Sequence, residues 1–219
     1  MYFDIGAYDG GKAQEAFDFL DKDVICVEPN PYSFQKLQGR FAGKDTVKLM
    51  NAAVSSELGD VTLSVSRRHA PISSIKKEWV EESRFAGQAD ENNVPYTWDE
   101  EVNVQAVTID WLTEEFGKPS FIKIDVEGAE LDVVKGLTKK SNVEDGCIIS
   151  MEFNEEFLQM SIDAIHHLNK LGFYEFGVID GDGVRDRPKK WRNFADFLKV
   201  CDQAFPTPTE DFFGTVFAK

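Results

Sequence analysis

Three short stretches of this chain place glycines and acids where an apolar run gives way to a helical pattern. The first is Asp4-Ile5-Gly6-Ala7-Tyr8-Asp9-Gly10. Glycines in such a turn let the backbone pass close beneath a ligand, and the helix that follows offers unpaired N–H groups at its N-terminus. The spacing of Gly6 and Gly10 is not the G-x-G-x-x-G that admits a pyrophosphate. A phosphate-free sulfonium cofactor suits the turn better, because Asp4 or Asp9 can then bond an ammonium. The plain alternative is a glycine-rich turn with no ligand. The second stretch is Glu28, which closes the next apolar run. An acid there sits at the carboxyl edge of the sheet, where it can accept both hydroxyls of a ribose.

The third stretch, Lys123-Ile124-Asp125-Val126-Glu127-Gly128-Ala129-Glu130, again ends a strand and opens a helix. Ligands of open α/β sheets bind at the carboxyl ends of the strands, so Asp125 and Glu127 should share a crevice with Gly6 and Glu28. Two carboxylates in one cleft suit two duties: one holds a cofactor ammonium, the other orients or deprotonates a hydroxyl nucleophile. Glu127 is the first candidate base, His69 the second and Glu152 the third. The competing account of Glu127 and Glu130 is that they favour a helix N-terminus electrostatically. No His/Cys cluster marks a metal site, and none is expected.

The elements that must position these residues alternate. Strands are expected at 1–5, 24–27, 47–50, 121–124, 147–153, 173–179 and 212–217, with helical spacing between them, as in a parallel sheet covered by helices. Residues 61–65 alternate like an antiparallel strand paired with 102–107, and the charged stretch between them, 66–101, reads as irregular. A helix is expected from Glu127 to about Lys135, and a last strand returning antiparallel. The chain is read as a single domain over 1–219 with an insertion at about 56–106 expected to form a substrate lid.

The 39 acidic residues against 24 basic ones give a formal net charge of -15, a field that repels phosphate backbones and argues against nucleic acid as partner. The basic stretch Arg185 to Arg192 interrupts this acidity and reads mainly as a solvated loop. Cys26, Cys147 and Cys201 lack C-x-x-C spacing and read as buried, reduced thiols. No apolar run is long enough for a membrane span and no signal-peptide pattern opens the chain, so the cytoplasm is expected.

At these places the sequence resembles the FkbM family of S-adenosylmethionine-dependent methyltransferases. The matching stretches are FDIGAYDG at 3–10, VEPNP at 27–31, NAAVS at 51–55, VTIDWL at 107–112 and IKIDVEGAELDVVKG at 122–136. The resemblance implies a doubly wound, Rossmann-like sheet, mostly parallel with an antiparallel last strand, and S-adenosyl-L-methionine as cofactor. It implies that Asp4, Gly6, Ala7 and Gly10 border the methionine and ribose, that Glu28 binds the ribose hydroxyls, and that Asn51 and Ala52 lie near the adenine. Asp125 and Glu127 then border the methyl-transfer site, and the acceptor is a hydroxyl of a sugar or other small molecule. Two alternatives stay open: an NAD-type oxidoreductase, which shares the glycine turn and the acid after strand two, and a catalytically idle binding module on the same fold.

Overall fold

The computed structural model describes residues 1–20, 22–180, 186–204 and 213–219. The chain runs β1 (Tyr2–Ile5), α1 (Gly11–Leu20), β2 (Val24–Val27), α2 (Pro31–Arg40), β3 (Val47–Met50), β4 (Ala53–Val54), β5 (Gly59–Val65), α3 (Lys77–Glu82) and β6 (Glu100–Val107). It continues with α4 (Ile109–Phe116), β7 (Phe121–Ile124), α5 (Glu130–Lys135), β8 (Ile148–Asn154), α6 (Leu158–Leu171), β9 (Glu175–Asp180), β10 (Arg192–Asn193), α7 (Phe194–Ala204) and β11 (Phe213–Ala218).

Among the described residues the main sheet has the order β10-β9-β11-β8-β7-β1-β2-β3. β3, β2, β1, β7 and β8 are mutually parallel. All four residues of β1, β2 and β7 are buried, as strands covered on both faces must be. Ala13 and Ala16 of α1 and Leu37 of α2 pack on one face, with Tyr2, Val24 and Cys26. Residues of α4, α5, α6 and α7 pack on the other, against Phe3, Ile5, Ile122 and Ile149. The strand order reverses at β1, which leaves a crevice between the carboxyl ends of β1, β2 and β7. β11 runs antiparallel, wedged between β8 and β9, and the short β10 pairs antiparallel with β9 at the edge.

Local chemistry explains the boundaries. Asn30 caps α2 by accepting the Tyr32 N–H at 3.0 Å, and Pro31 fits the first turn. Thr108 caps α4 through the Trp111 N–H, and Gly172, at φ 103°, ends α6. One expected boundary moves: α5 starts at Glu130, so Glu127 lies in the turn before it. Glu127 and Gly128 both take positive φ, 54° and 91°, which no helix tolerates.

The expected antiparallel pair exists, but β5 and β6 join β4 in a separate three-stranded sheet with its own small core of Ala53, Leu63, Val65 and Val104. The stretch read as irregular holds a 3-10 turn, Ala70–Ile72, and α3, whose Trp79 is 1% exposed. Helix α7, over residues left without an element in the sequence reading, turns Phe197 and Cys201 into the core. Cys26, Cys147 and Cys201 are free and buried. Arg185 and Phe212 lie outside the described residues. The Arg187 guanidinium lies 4.6 Å above the Phe121 ring, so part of the basic stretch packs on the domain. No helix among the described residues is long and apolar enough to cross a membrane.

Candidate active site

A cavity of about 460 Å³ opens at the carboxyl ends of β1, β2 and β7, a size usual for small-molecule sites. The turn at 6–9 forms one side, with Glu28, Ala52 and Ala53 beside it and Lys123, Asp125 and Glu127 opposite. Leu63, Pro71, Ser73, Ser74 and Ile75, from the inserted sheet and the strap that follows it, complete the wall.

Gly6 takes φ 76°, and a methyl group there would run into the carbonyl of Asp125. The two motif turns therefore meet backbone to backbone, which only glycine allows. The N–H groups of Gly6 and Ala7 donate to the Val27 carbonyl at 3.0 and 3.1 Å, fixing the turn to β2. Glu28 ties the Gly6 turn to its own loop: one carboxylate oxygen accepts the Tyr8 N–H and the other the Asn30 N–H, each at 2.8 Å. Burial pushes the Glu28 carboxyl up to about 7 against the opposing pull of these two bonds.

Beneath the cavity lies an ion triad. Lys123 is 8% exposed, and its ammonium stands 3.2 Å from both Asp4 and Asp125 and donates to the Gly6 carbonyl at 3.0 Å. Burial alone would lower its pKa, but the Asp125 and Asp4 charges more than offset this and keep it protonated. Asp4 is completely buried and its pKa is raised by burial despite Lys123. A lysine between two isoleucines in a covered strand is the signal that could have exposed this triad, because a buried ammonium must be paired.

Asp125, Glu127 and Glu152 bring carboxylate oxygens within 4.8 Å of one another, close enough to hold one cation. Burial, then the Glu152 and Asp125 charges, raise the Glu127 pKa well above the usual range. Glu130 turns back to accept the Val126 N–H at 3.0 Å, closing the loop, and burial pushes it up to about 7. It serves the loop, as the helix-terminus account of it implies.

The structure gathers Gly6, Ala7, Glu28, Ala52, Asp125 and Glu127 on the cavity lining, with Glu152 beside the last two. Asp4, Gly10, Asn51 and His69 are not on that lining. Asp4 acts from below through Lys123. Gly10, at φ 82°, makes room for Leu37 and Phe41, which a methyl group would meet at 2.7 and 2.6 Å. The Asn51 amide donates to the carbonyls of Glu28 and Pro29 at 2.8 and 3.0 Å and so braces the Glu28 loop. His69 bonds to Asp90 at 3.2 Å and packs on Tyr96, within the insertion. Ser73 and Ser74 line the cavity without any motif having marked them, and Tyr8, inside the first motif, lines it without having been assigned a role. Two of the three non-glycine residues with positive φ among the described residues, Tyr8 and Glu127, face this cavity, where such strain gathers in functional sites.

Glu28 and Glu130 bind protons more tightly in the folded chain than in the unfolded one, where their pKa is near 4.5. Raised values add stability that is complete below pH 4.5 and lost as pH climbs through about 7. The cofactor-free protein should therefore lose about 2 kcal/mol per carboxyl between about pH 5.5 and pH 8, on the order of 5–10 °C in Tm. Differential scanning fluorimetry across that range checks this, and a clearly shallower profile in Glu28→Gln/Glu130→Gln, with the remainder left to the raised Glu127 and Asp4 carboxyls, would identify the groups.

A mostly parallel sheet covered by helices on both faces, with an antiparallel strand near its far edge and a cavity at its carboxyl edge, is a Rossmann-like fold. The chain belongs to the family of the methyltransferase FkbM domain, which matches residues 4–181. Its cofactor is S-adenosylmethionine. Comparison with curated proteins gave no match. Among solved structures, the chain is similar over its whole length to precorrin-6y C5,15-methyltransferase from Geobacter metallireducens, with 10% identity, a TM-score of 0.47 and 78% of that chain covered. It is likewise similar over its whole length to Aeropyrum pernix fibrillarin with S-adenosyl-L-methionine bound, with 10% identity, a TM-score of 0.49 and 65% of that chain covered. For the glycopeptide N-methyltransferase MtfA complexed with sinefungin the identity is 9%, the TM-score 0.35 and the coverage 100% and 79%.

Proposed function

We propose that this chain methylates a hydroxyl oxygen of a sugar or other small molecule, and that the cavity between β1, β2 and β7 is the site. The observation that carries the reading is the meeting of the Gly6 turn, Glu28 and the Asp125–Glu127 carboxylates around one cavity. The residues fit S-adenosylmethionine. Gly6 lets the first turn close against the Asp125 backbone and so sets the floor of the cavity, and Glu28 on the lining has carboxylate lone pairs beyond the two that accept N–H bonds to offer two ribose hydroxyls. Ala52 and Ala53 offer an apolar rest for the adenine, and Asp125 is placed to take the ammonium. When bound, the cofactor supplies a methyl group already activated for in-line displacement.

The protein then has to align an acceptor and move one proton. Alignment alone supplies on the order of 7 kcal/mol in well-ordered cases. Glu127 is the general base in this reading, because its carboxyl lines the cavity and its neighbours Asp125 and Glu152 raise its proton affinity. A positively charged cofactor nearby favours its ionised form, so it is ready to accept the hydroxyl proton as the oxygen forms its bond to carbon. The neighbouring Glu152 charge adds to the proton affinity of Glu127. The inserted sheet forms a wall of the site.

Calorimetric titration with S-adenosylmethionine, S-adenosylhomocysteine and NAD, followed by transfer of labelled methyl to panels of sugars, amines and carboxylates, tests the reading. Micromolar binding of the two sulfur compounds but not NAD, with label on a hydroxyl, is the expected result. Label on nitrogen or carboxylate alone would sink the oxygen acceptor, and NAD binding would replace the whole reading.

A further inference from the structure

The inserted strap enters the β7–α5 turn with a residue that no sequence motif marks. We propose that Ser74 is a positioning residue, whose hydroxyl fixes the backbone of Glu127 and thereby holds the Glu127 carboxyl in the cavity, where its charge would favour the cationic form of the cofactor over the neutral one. This rests on the reading that Glu127 borders the methyl donor.

Ser74 is 1% exposed, and its hydroxyl donates to the Glu127 carbonyl at 2.6 Å while accepting the Lys76 N–H at 3.0 Å. Its own backbone is paired with Ser64 in both directions, at 2.9 and 3.1 Å, so the hydroxyl stands on the three-stranded sheet. The preceding hydroxyl, Ser73, accepts from the Ser66 N–H and from the Asn30 side chain, both at 3.1 Å, and ties the strap to the start of α2. Two further contacts join the strap to the same loop. Trp79 lies against Gly128, where a methyl group would stand 2.9 Å from its ring, and Lys76 pairs with Asp132 at 3.0 Å.

The need for such a hold follows from the turn itself. Glu127 occupies the left-handed region at φ 54°, unfavourable for a residue with a side chain, and its carboxyl stands among Asp125 and Glu152, which repel its charge. Both effects push the turn to relax and swing the carboxyl away. A hydrogen bond from a side chain anchored on a separate sheet opposes this.

S-adenosylmethionine carries a positive sulfur and S-adenosylhomocysteine a neutral one, so the ratio of their affinities reads the placement of a carboxylate near that atom. A loss of general folding would weaken both alike. Ser74→Ala should weaken S-adenosylmethionine binding about tenfold, the effect of one lost hydrogen bond at the site, with S-adenosylhomocysteine within about twofold. Ser74→Thr should restore the ratio. Glu127→Gln should itself lower the ratio, and in that background Ser74→Ala should lower it no further, because two residues acting through one group are not additive. Should Ser74→Ala fail to fold, Ser74→Cys, close in size but a weak donor, gives the same readout. Equal weakening of both ligands, or a full Ser74→Ala effect without the Glu127 charge, overturns the proposal. An unchanged ratio in Glu127→Gln overturns the role of Glu127 itself, a failure distinct from one confined to Ser74.

Discussion

Gly6→Ala is expected to yield a protein that binds no S-adenosylmethionine and melts far below the parent. The added methyl group would collide with the Asp125 carbonyl, a backbone atom held by the Asp125 N–H bond to Ile5 at 3.1 Å and so unable to step aside. The residue would also be forced to keep φ 76°, costing on the order of 1–2 kcal/mol before any clash is counted. Collision and strain together put the loss above about 4 kcal/mol, the range reserved for severe backbone or core disruption. Thermal melts and calorimetry check it; a variant that melts with the parent would show that the two turns can separate. Gly10→Ala is the instructive companion, since the atoms it meets belong to the side chains of Leu37 and Phe41, which have some room to give.

Glu28→Ala should weaken S-adenosylmethionine and S-adenosylhomocysteine together, by about 100-fold or more, since the ribose is common to both and two bonds to it are lost. The substitution also strands the Tyr8 and Asn30 N–H groups, at about 1–3 kcal/mol each where they stay dry. Glu28→Gln keeps one acceptor oxygen and should fall between. Affinity that survives Glu28→Ala would remove this residue from the cofactor site and reduce it to a brace between the two turns. The parallel loss of both ligands here contrasts with the changed ratio expected at Glu127, so one set of titrations separates the two carboxyls.

The parallel strands were legible because a strand buried on both faces is apolar along almost its whole length, as VICV is throughout and FIKI is but for the paired Lys123. Gly6 and Glu28 were legible for a related reason: each stands where such a strand stops. What escaped depends on long-range contact. β4 has only Ala53 and Val54, and its pairing with β6 is set by the fold. α3 carries one deeply buried residue, Trp79, so it has no periodic stripe to announce it. Glu127 looked helical because helix-favouring residues follow it, but the contacts of Gly128 with Trp79 and of its own carbonyl with Ser74 hold it in a turn. Asp4 and Asn51 sit in motifs that gather around the cavity, yet their side chains serve the scaffold, a distinction spacing does not encode.

The place of β11 between β8 and β9 bears on how the chain matures during synthesis. β8 and β9 leave the ribosome with bare edges facing a gap that stays open until residues 213–218 have been made. Through that interval each edge can capture a strand of another nascent chain, the usual start of aggregation. Yield of native protein should thus respond to how quickly residues 213–218 follow β9 out of the ribosome, and to chaperones that shield those edges, more than to the stability of the finished sheet.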